Sequence, residues 1–128
     1  MTEPGYAGSN PTRMGTIAKK ENGNYIINGH KWFTSSFDGA DFAIVMVVTD
    51  PDEANPYKRA SQIIVPTKTK GVEFVRNVSI MGHPGGGWES HAEIKFNNVI
   101  VPESNLLGSE GDGFAIAQKR LGPGTVSY

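Results

Sequence analysis

An all-β fold closed by one terminal helix is what this sequence predicts, and three observations predict it. Short apolar or alternating runs recur at close spacing between Thr16 and Val101, as they do in sandwiches and barrels. The 16 glycines and 8 prolines among 128 residues suit many short elements joined by turns. After Pro102 the apolar spacing becomes helical. The expected architecture is a small barrel or two orthogonally packed antiparallel sheets, with one helix starting near the C-terminus.

Each element has its own signal. Thr16 to Lys20 reads as a short strand. Asn22-Gly23 follows, a pair that readily adopts the two left-handed conformations of a tight hairpin turn. Tyr25 to Asn28 is the return strand. Asn28-Gly29 repeats the turn signal, and Lys31 to Ser35 continues extended. Phe42 to Thr49 is almost wholly apolar and rich in valine, which predicts a strand buried on both faces. Asp50 to Arg59 is a polar loop, and Ser61 to Val65 is a strand stopped by Pro66. Gly71 to Ser79 alternates. Met81 to Trp88 is a glycine-rich connection. Ser90 to Phe96 alternates again, with Ala92, Ile94 and Phe96 on one face. Asn97-Asn98 is read as a turn into Val99-Ile100-Val101. Phe114, Ala117 and Leu121 then fall at helical spacing, and Gly122-Pro123-Gly124 is expected to break that helix. The division expected is a β-domain over 1–108 and the start of a helical region over 109–128.

Composition narrows the function. A formal charge of −1 offers no broad attraction to nucleic acid or an anionic membrane. There is no cysteine, so disulfides, thiolate ligands and a thiol nucleophile are excluded. No apolar run approaches the ~20 residues of a membrane-spanning helix. No secretory signal is evident, and Asn77-Val78-Ser79 is read as an ordinary strand-edge asparagine rather than a glycan site. A cytoplasmic or a mitochondrial or peroxisomal matrix location is expected.

Candidate chemistry is sparse. The opening residues Met1 to Asn10 combine a threonine, a glutamate, a proline, two glycines and a serine, a composition suited to backbone wrapped closely around a ligand. Read from composition alone, an unstructured leader is the leading reading. His83, Glu89 and His91 match no zinc spacing, so no metal is expected. Gly82 to Gly87 lacks the lysine and following helix of a phosphate loop. Trp32 and Phe33 read as alternating core and surface residues of a strand. His30 and Lys31 read as solvated or hydrogen-bonded strand residues.

Four ordered motifs carry a resemblance. Thr2-Glu3-Pro4-Gly5 with Gly8-Ser9-Asn10, then Asn28-Gly29-His30-Lys31-Trp32-Phe33-Thr34-Ser35, then Phe96 through Gly108 with Val99-Ile100-Val101-Pro102 and Asn105-Leu106-Leu107-Gly108, then Glu110-Gly111-Asp112-Gly113-Phe114, together resemble the middle β-domain of acyl-CoA dehydrogenases. The resemblance implies FAD as cofactor and an acyl-CoA thioester as substrate, with α,β-dehydrogenation as the reaction. It implies helical domains on either side of this one, an electron-transfer flavoprotein as acceptor, and a homo-oligomer. By the same likeness Thr2 contacts the flavin pyrimidine edge with backbone groups of Met1 and Glu3 nearby. Ser9 lies near the flavin pyrophosphate or the acyl-CoA, although its spacing from Thr2 is one residue longer than usual. Phe33 stands where the family has a tryptophan, Thr34 where it has isoleucine, and Ser35 where it has threonine. Phe33 would wall the isoalloxazine ring and Ser35 would donate toward flavin N5.

The family's catalytic base is a glutamate, and no carboxylate stands at the chain's end, where Thr125 replaces a common arginine. No catalytic residue is therefore assigned. The chain resembles an excised middle domain, a fragment or a stand-alone relative, and little or no FAD retention is expected of these 128 residues. Two other readings remain open: a non-catalytic β-module that binds a partner, and the middle domain of an oxidase-like relative.

Overall fold

The computed structural model of the chain describes residues 1–125. Its frame is β1 (Ile17–Glu21), β2 (Asn24–Ser35), β3 (Phe42–Val48), β4 (Ala60–Pro66), β5 (Val72–Asn77), β6 (His91–Pro102), β7 (Leu106–Leu107) and α1 (Gly113–Thr125). The all-β class and the terminal helix are those expected. The strands are hydrogen-bonded in the order β5-β6-β2-β1-β3-β4-β7. Neighbours are antiparallel except β1 and β3, which meet in parallel at Ile17 and Val48. The Val48 N–H also donates to the Thr16 carbonyl at 2.8 Å. Two antiparallel ladders are thus joined at one narrow seam. Tyr25, Ile27, Ile94, Phe96 and Val99 from one ladder pack with Val45, Val47, Ile63 and Val65 from the other in a single core. The sheet folds over on itself at the seam to bring them together.

Three asparagine signals have two outcomes. Asn22-Gly23 is the expected hairpin turn, with φ of 50° and 76°. Asn28-Gly29 and Asn97-Asn98 are not turns. They face each other across β2 and β6, which run straight through both. The register slips there because β6 holds an extra residue, with Asn98 at φ 48°. The Asn28 side chain brackets this bulge: its Oδ1 accepts from the Asn98 N–H at 2.9 Å, and its Nδ2 donates to Asn98 Oδ1 at 3.0 Å. The extra residue reverses the inward parity of β6, so the buried set is Ala92, Ile94 and Phe96 before it and Val99 and Val101 after it. Gly29 is needed for a different reason. A Cβ at that position would collide with the Thr16 side chain.

β3 is buried on both faces only over Val45–Val48. Phe42 and Ile44 are exposed. The difference lies in what covers the outer face. Met46 is covered by Met14, Ala60 and Ala117, the last from α1. The earlier half of the strand has no such cover. α1 itself is tied to β4: Gln62 Nε2 donates to the Gly113 carbonyl at 2.9 Å, and the Gly111 N–H donates to Ser61 Oγ at 3.0 Å. The Phe114 ring lies 4.8 Å from that of Tyr57. Of the three helically spaced apolar residues, Ala117 is buried and Leu121 is exposed. The break expected at Gly122-Pro123-Gly124 is not found, because the helix continues to Thr125. A proline ring holds φ at a value a helix also uses, so the local cost is one lost hydrogen bond and a steric distortion rather than an obligatory stop. The side chain of Thr125, which the sequence contrasts with a family arginine, lies outside the described residues.

Candidate functional site

The opening residues lack regular structure yet are tightly fixed. The Trp32 N–H donates to the Thr2 carbonyl at 3.2 Å, and Thr2 Oγ1 donates to the Trp32 carbonyl at 2.8 Å. Glu3 is only 3% exposed. Its Oε2 accepts from the Gly15 N–H at 2.6 Å, and its Oε1 accepts from the Thr16 N–H at 3.0 Å and from Lys31 Nζ at 2.8 Å. Burial pushes the Glu3 carboxyl up, but the Lys31 charge and the hydrogen bonds from Lys31, Thr16 and Gly15 prevail and hold it below the usual carboxylate range. Burial is the larger influence on Lys31 and lowers its ammonium, with Glu3 opposing that shift. Of the two readings of Lys31, solvated or hydrogen-bonded, the second is the one found, and the residue is buried. Lys31 continues the inward parity of Tyr25 and Ile27, and the ion pair is what allows a charge at that position.

Beyond Lys31 the strand bulges. Two residues of β2, Trp32 and Phe33, oppose one of β6, Glu93, and Phe33 sits at φ 51°. A left-handed conformation costs a non-glycine residue roughly 1–2 kcal/mol. It persists because both flanks are pinned. Lys31 holds Glu3 on one side, and on the other the Ser36 N–H donates to the Ser90 carbonyl at 2.8 Å. The bulge turns the Phe33 ring outward, 40% exposed, edge-on to Trp32 at a centroid distance of 4.9 Å.

A cavity of about 300 Å³ opens here, walled by Met1, Lys31, Trp32, Phe33, Thr34 and Ser35 and by the uncovered half of β3, with Ile94, Phe96 and Arg120 completing it. A second space of about 450 Å³ adjoins it between β3 and α1, bounded by Gln62, Leu107, Ile116 and Ala117. Met1, Ile44, Met46 and Arg120 line both. Four of the residues expected to bind cofactor, Met1, Phe33, Thr34 and Ser35, therefore share one cavity. Thr2 stands behind it, bonded to Trp32. Ser9 is exposed and is not on the wall. Ser35 Oγ is hydrogen-bonded to His91 Nδ1 at 2.9 Å. No carboxylate lines either space among the described residues. The chemistry on offer is an aromatic and aliphatic wall with a few hydroxyls and one guanidinium.

The comparisons with known proteins decide what such a wall belongs to. The family described as "Acyl-CoA dehydrogenase, middle domain" matches residues 1–99. The chain belongs to the acyl-CoA dehydrogenase family, as its middle domain. It is 43% identical to "Probable acyl-CoA dehydrogenase FadE2" of Mycobacterium tuberculosis over its whole length, covering 31% of that protein. It is 42% identical to acyl-CoA dehydrogenase family member 11 of Gallus gallus, again over its whole length and covering 17% of that protein. The solved acyl-CoA dehydrogenase of Geobacillus kaustophilus superposes with a TM-score of 0.83 at 37% identity, covering 94% of this chain and 31% of that one. The chain thus spans less than a third of the length of these relatives.

Within this middle domain, sequence reasoning missed the Glu3–Lys31 pair, Ile44, Met46 and Arg120. The parity of β2 pointed to Lys31, but nothing local points to Glu3, whose partners lie 12 to 28 residues away. His91, weighed above as a metal ligand, is bonded to Ser35, and His83 Nδ1 accepts from the Gly85 N–H at 3.3 Å. No three His, Cys, Asp or Glu side chains converge among the described residues. No helix among them is long and apolar enough to cross a membrane.

Proposed function

We propose that this middle domain forms one wall of a shared flavin and acyl-thioester site in a longer FAD-dependent acyl-CoA dehydrogenase. The observation that carries the reading is the Phe33 bulge. A strained backbone position holds an aromatic ring out over a cavity beside the hydroxyls of Thr34 and Ser35, and strain of this kind gathers at ligand sites. The cavity fits the ring portion of FAD in character: a flat aromatic and aliphatic wall with hydrogen-bonding groups at its edge. Bound there, the flavin would supply the redox chemistry of α,β-dehydrogenation.

This chain's own residues do the holding. Phe33 would pack against the ring, Ser35 and the backbone around Met1 and Thr34 would meet its polar edge, and Thr2 fixes Trp32 so that the bulge keeps its shape. Ser9, exposed and off the cavity wall, would meet the phosphate-bearing part of the nucleotide in this reading. Ile44 and Met46 exclude water along the floor. The base that takes the substrate's α-proton comes from outside these residues, in keeping with cavities that no carboxylate lines. Residues 1–108 act as the β-domain, and residues 109–128 begin the helical region that follows it. An electron-transfer flavoprotein is the electron acceptor of the full-length protein, which is a homo-oligomer of the cytoplasm or an organelle matrix.

The reading is tested by adding acyl-CoA thioesters anaerobically to the purified full-length protein. Bleaching of the oxidised flavin absorbance, with formation of the 2-enoyl thioester, is expected. Bound flavin that no acyl-CoA reduces would overturn the reading.

A further inference from the structure

We propose that Asn22 is a site of deamidation, and that the fold protects Asn28 from the same reaction. These are the asparagines that glycine follows, in Asn22-Gly23 and Asn28-Gly29. A following glycine makes the reaction easiest, because no side chain keeps the next peptide nitrogen away from the asparagine amide carbon. The Gly23 nitrogen gives its proton to hydroxide and attacks Cγ of Asn22. The new C–N bond closes a five-membered succinimide, and the side-chain nitrogen leaves as ammonia. Water then opens the ring at either carbonyl, giving aspartate or isoaspartate.

At Asn22 both reacting groups are free. Asn22 and Gly23 are exposed and lie beyond the last rung of the β1–β2 ladder, Glu21 against Asn24. Among the described residues, nothing hydrogen-bonds the Asn22 side chain or the Gly23 N–H. Asn24 Nδ2 donates to the Asn22 carbonyl at 3.1 Å. That carbonyl and the Gly23 N–H belong to one amide, so the bond draws electron density from the nitrogen and makes its proton easier to remove.

Asn28 is exposed too, but both ends of its side-chain amide are held. Its Oδ1 accepts from the Asn98 N–H at 2.9 Å, and its Nδ2 donates to Asn98 Oδ1 at 3.0 Å. Gly29 pairs with Phe96 inside the β2–β6 ladder and packs against Thr16. The Gly29 nitrogen reaches Asn28 Cγ only when that ladder opens, and interior rungs open far less often than turns.

Conversion of Asn22 has a structural consequence. The Glu103 N–H donates to the Gly23 carbonyl at 3.0 Å, and Glu103 pairs with Lys20 at 2.5 Å, which ties the hairpin to the end of β6. Either product adds a carboxylate beside Glu21 and near Glu103. Isoaspartate also adds a methylene to the main chain of a two-residue turn. The tie to Glu103 is the contact that conversion weakens.

The test is incubation of the full-length protein at mildly alkaline pH, folded and in urea, followed by proteolysis and mass spectrometry of the peptides carrying Asn22 and Asn28. In urea both sites convert. Relative to its own rate in urea, Asn28 in the folded protein is slowed on the order of tenfold or more beyond Asn22, as even a modest cost of opening the ladder implies. The Asn22 peptide then splits into aspartyl and isoaspartyl forms of equal mass that separate by chromatography. Equal slowing of the two sites on folding, or Asn28 converting first, overturns the inference. So does an Asn22 that converts in the folded protein no faster than asparagines followed by larger residues.

Discussion

Glu3 makes three hydrogen bonds inside the protein, and each of its oxygens is used. Removing it strands the Lys31 ammonium in a site where that residue is 5% exposed. Glu3→Ala should therefore cost about 3–5 kcal/mol of stability, the usual result of breaking a buried pair from one side. Urea denaturation checks this, and a loss under ~1 kcal/mol would contradict it. The same pair sets an acid limit. The folded-state carboxyl titrates below its ordinary value of 4.5. Its stabilisation is complete above that value and is lost as the pH falls through the lower folded one. Glu3→Gln should flatten the acid arm of the stability curve, and an arm as steep as wild type would exclude Glu3 as its source. Phe33 and Ser35 were legible as candidates because they stand in a recognisable local run. The strain at Phe33 was not, since it arises from an extra residue counted against the opposite strand.

At the scale of elements, a turn signal is read correctly only when the partner strand is known. Asn22-Gly23 ends a ladder and becomes a hairpin turn. Asn28-Gly29 lies inside one, where β6 continues past it, and its asparagine is used to brace the Asn98 bulge. Gly29 then packs against Thr16, the residue whose carbonyl meets Val48 at the seam. Gly29→Ala should destabilise the chain by roughly 1–3 kcal/mol through overpacking. Gly5→Ala serves as the control, since a Cβ there meets nothing within 4 Å. Thermal unfolding of the two variants separates them, and equal midpoints would contradict the account of the seam. Strand identities and the all-β class were legible from apolar alternation. The half-exposed start of β3 was not, because its composition is the same whether or not a helix covers it.

At the scale of the molecule, the seam and the two bulges together produce the candidate site. The seam folds β3 toward β2, the Asn98 bulge keeps both halves of β6 facing the core, and the Phe33 bulge ends that packing by turning an aromatic ring outward. The cavity lies where β2, β3 and Arg120 of α1 meet. The measurement that tests this account most directly is the flavin content of the full-length protein with Phe33→Ala, set against wild type. A wall built on Phe33 predicts flavin binding weakened on the order of tenfold, the loss of roughly 1–2 kcal/mol of aromatic contact, in a protein that remains folded. Unchanged flavin affinity in the folded variant would show that the ring does not lie against this bulge.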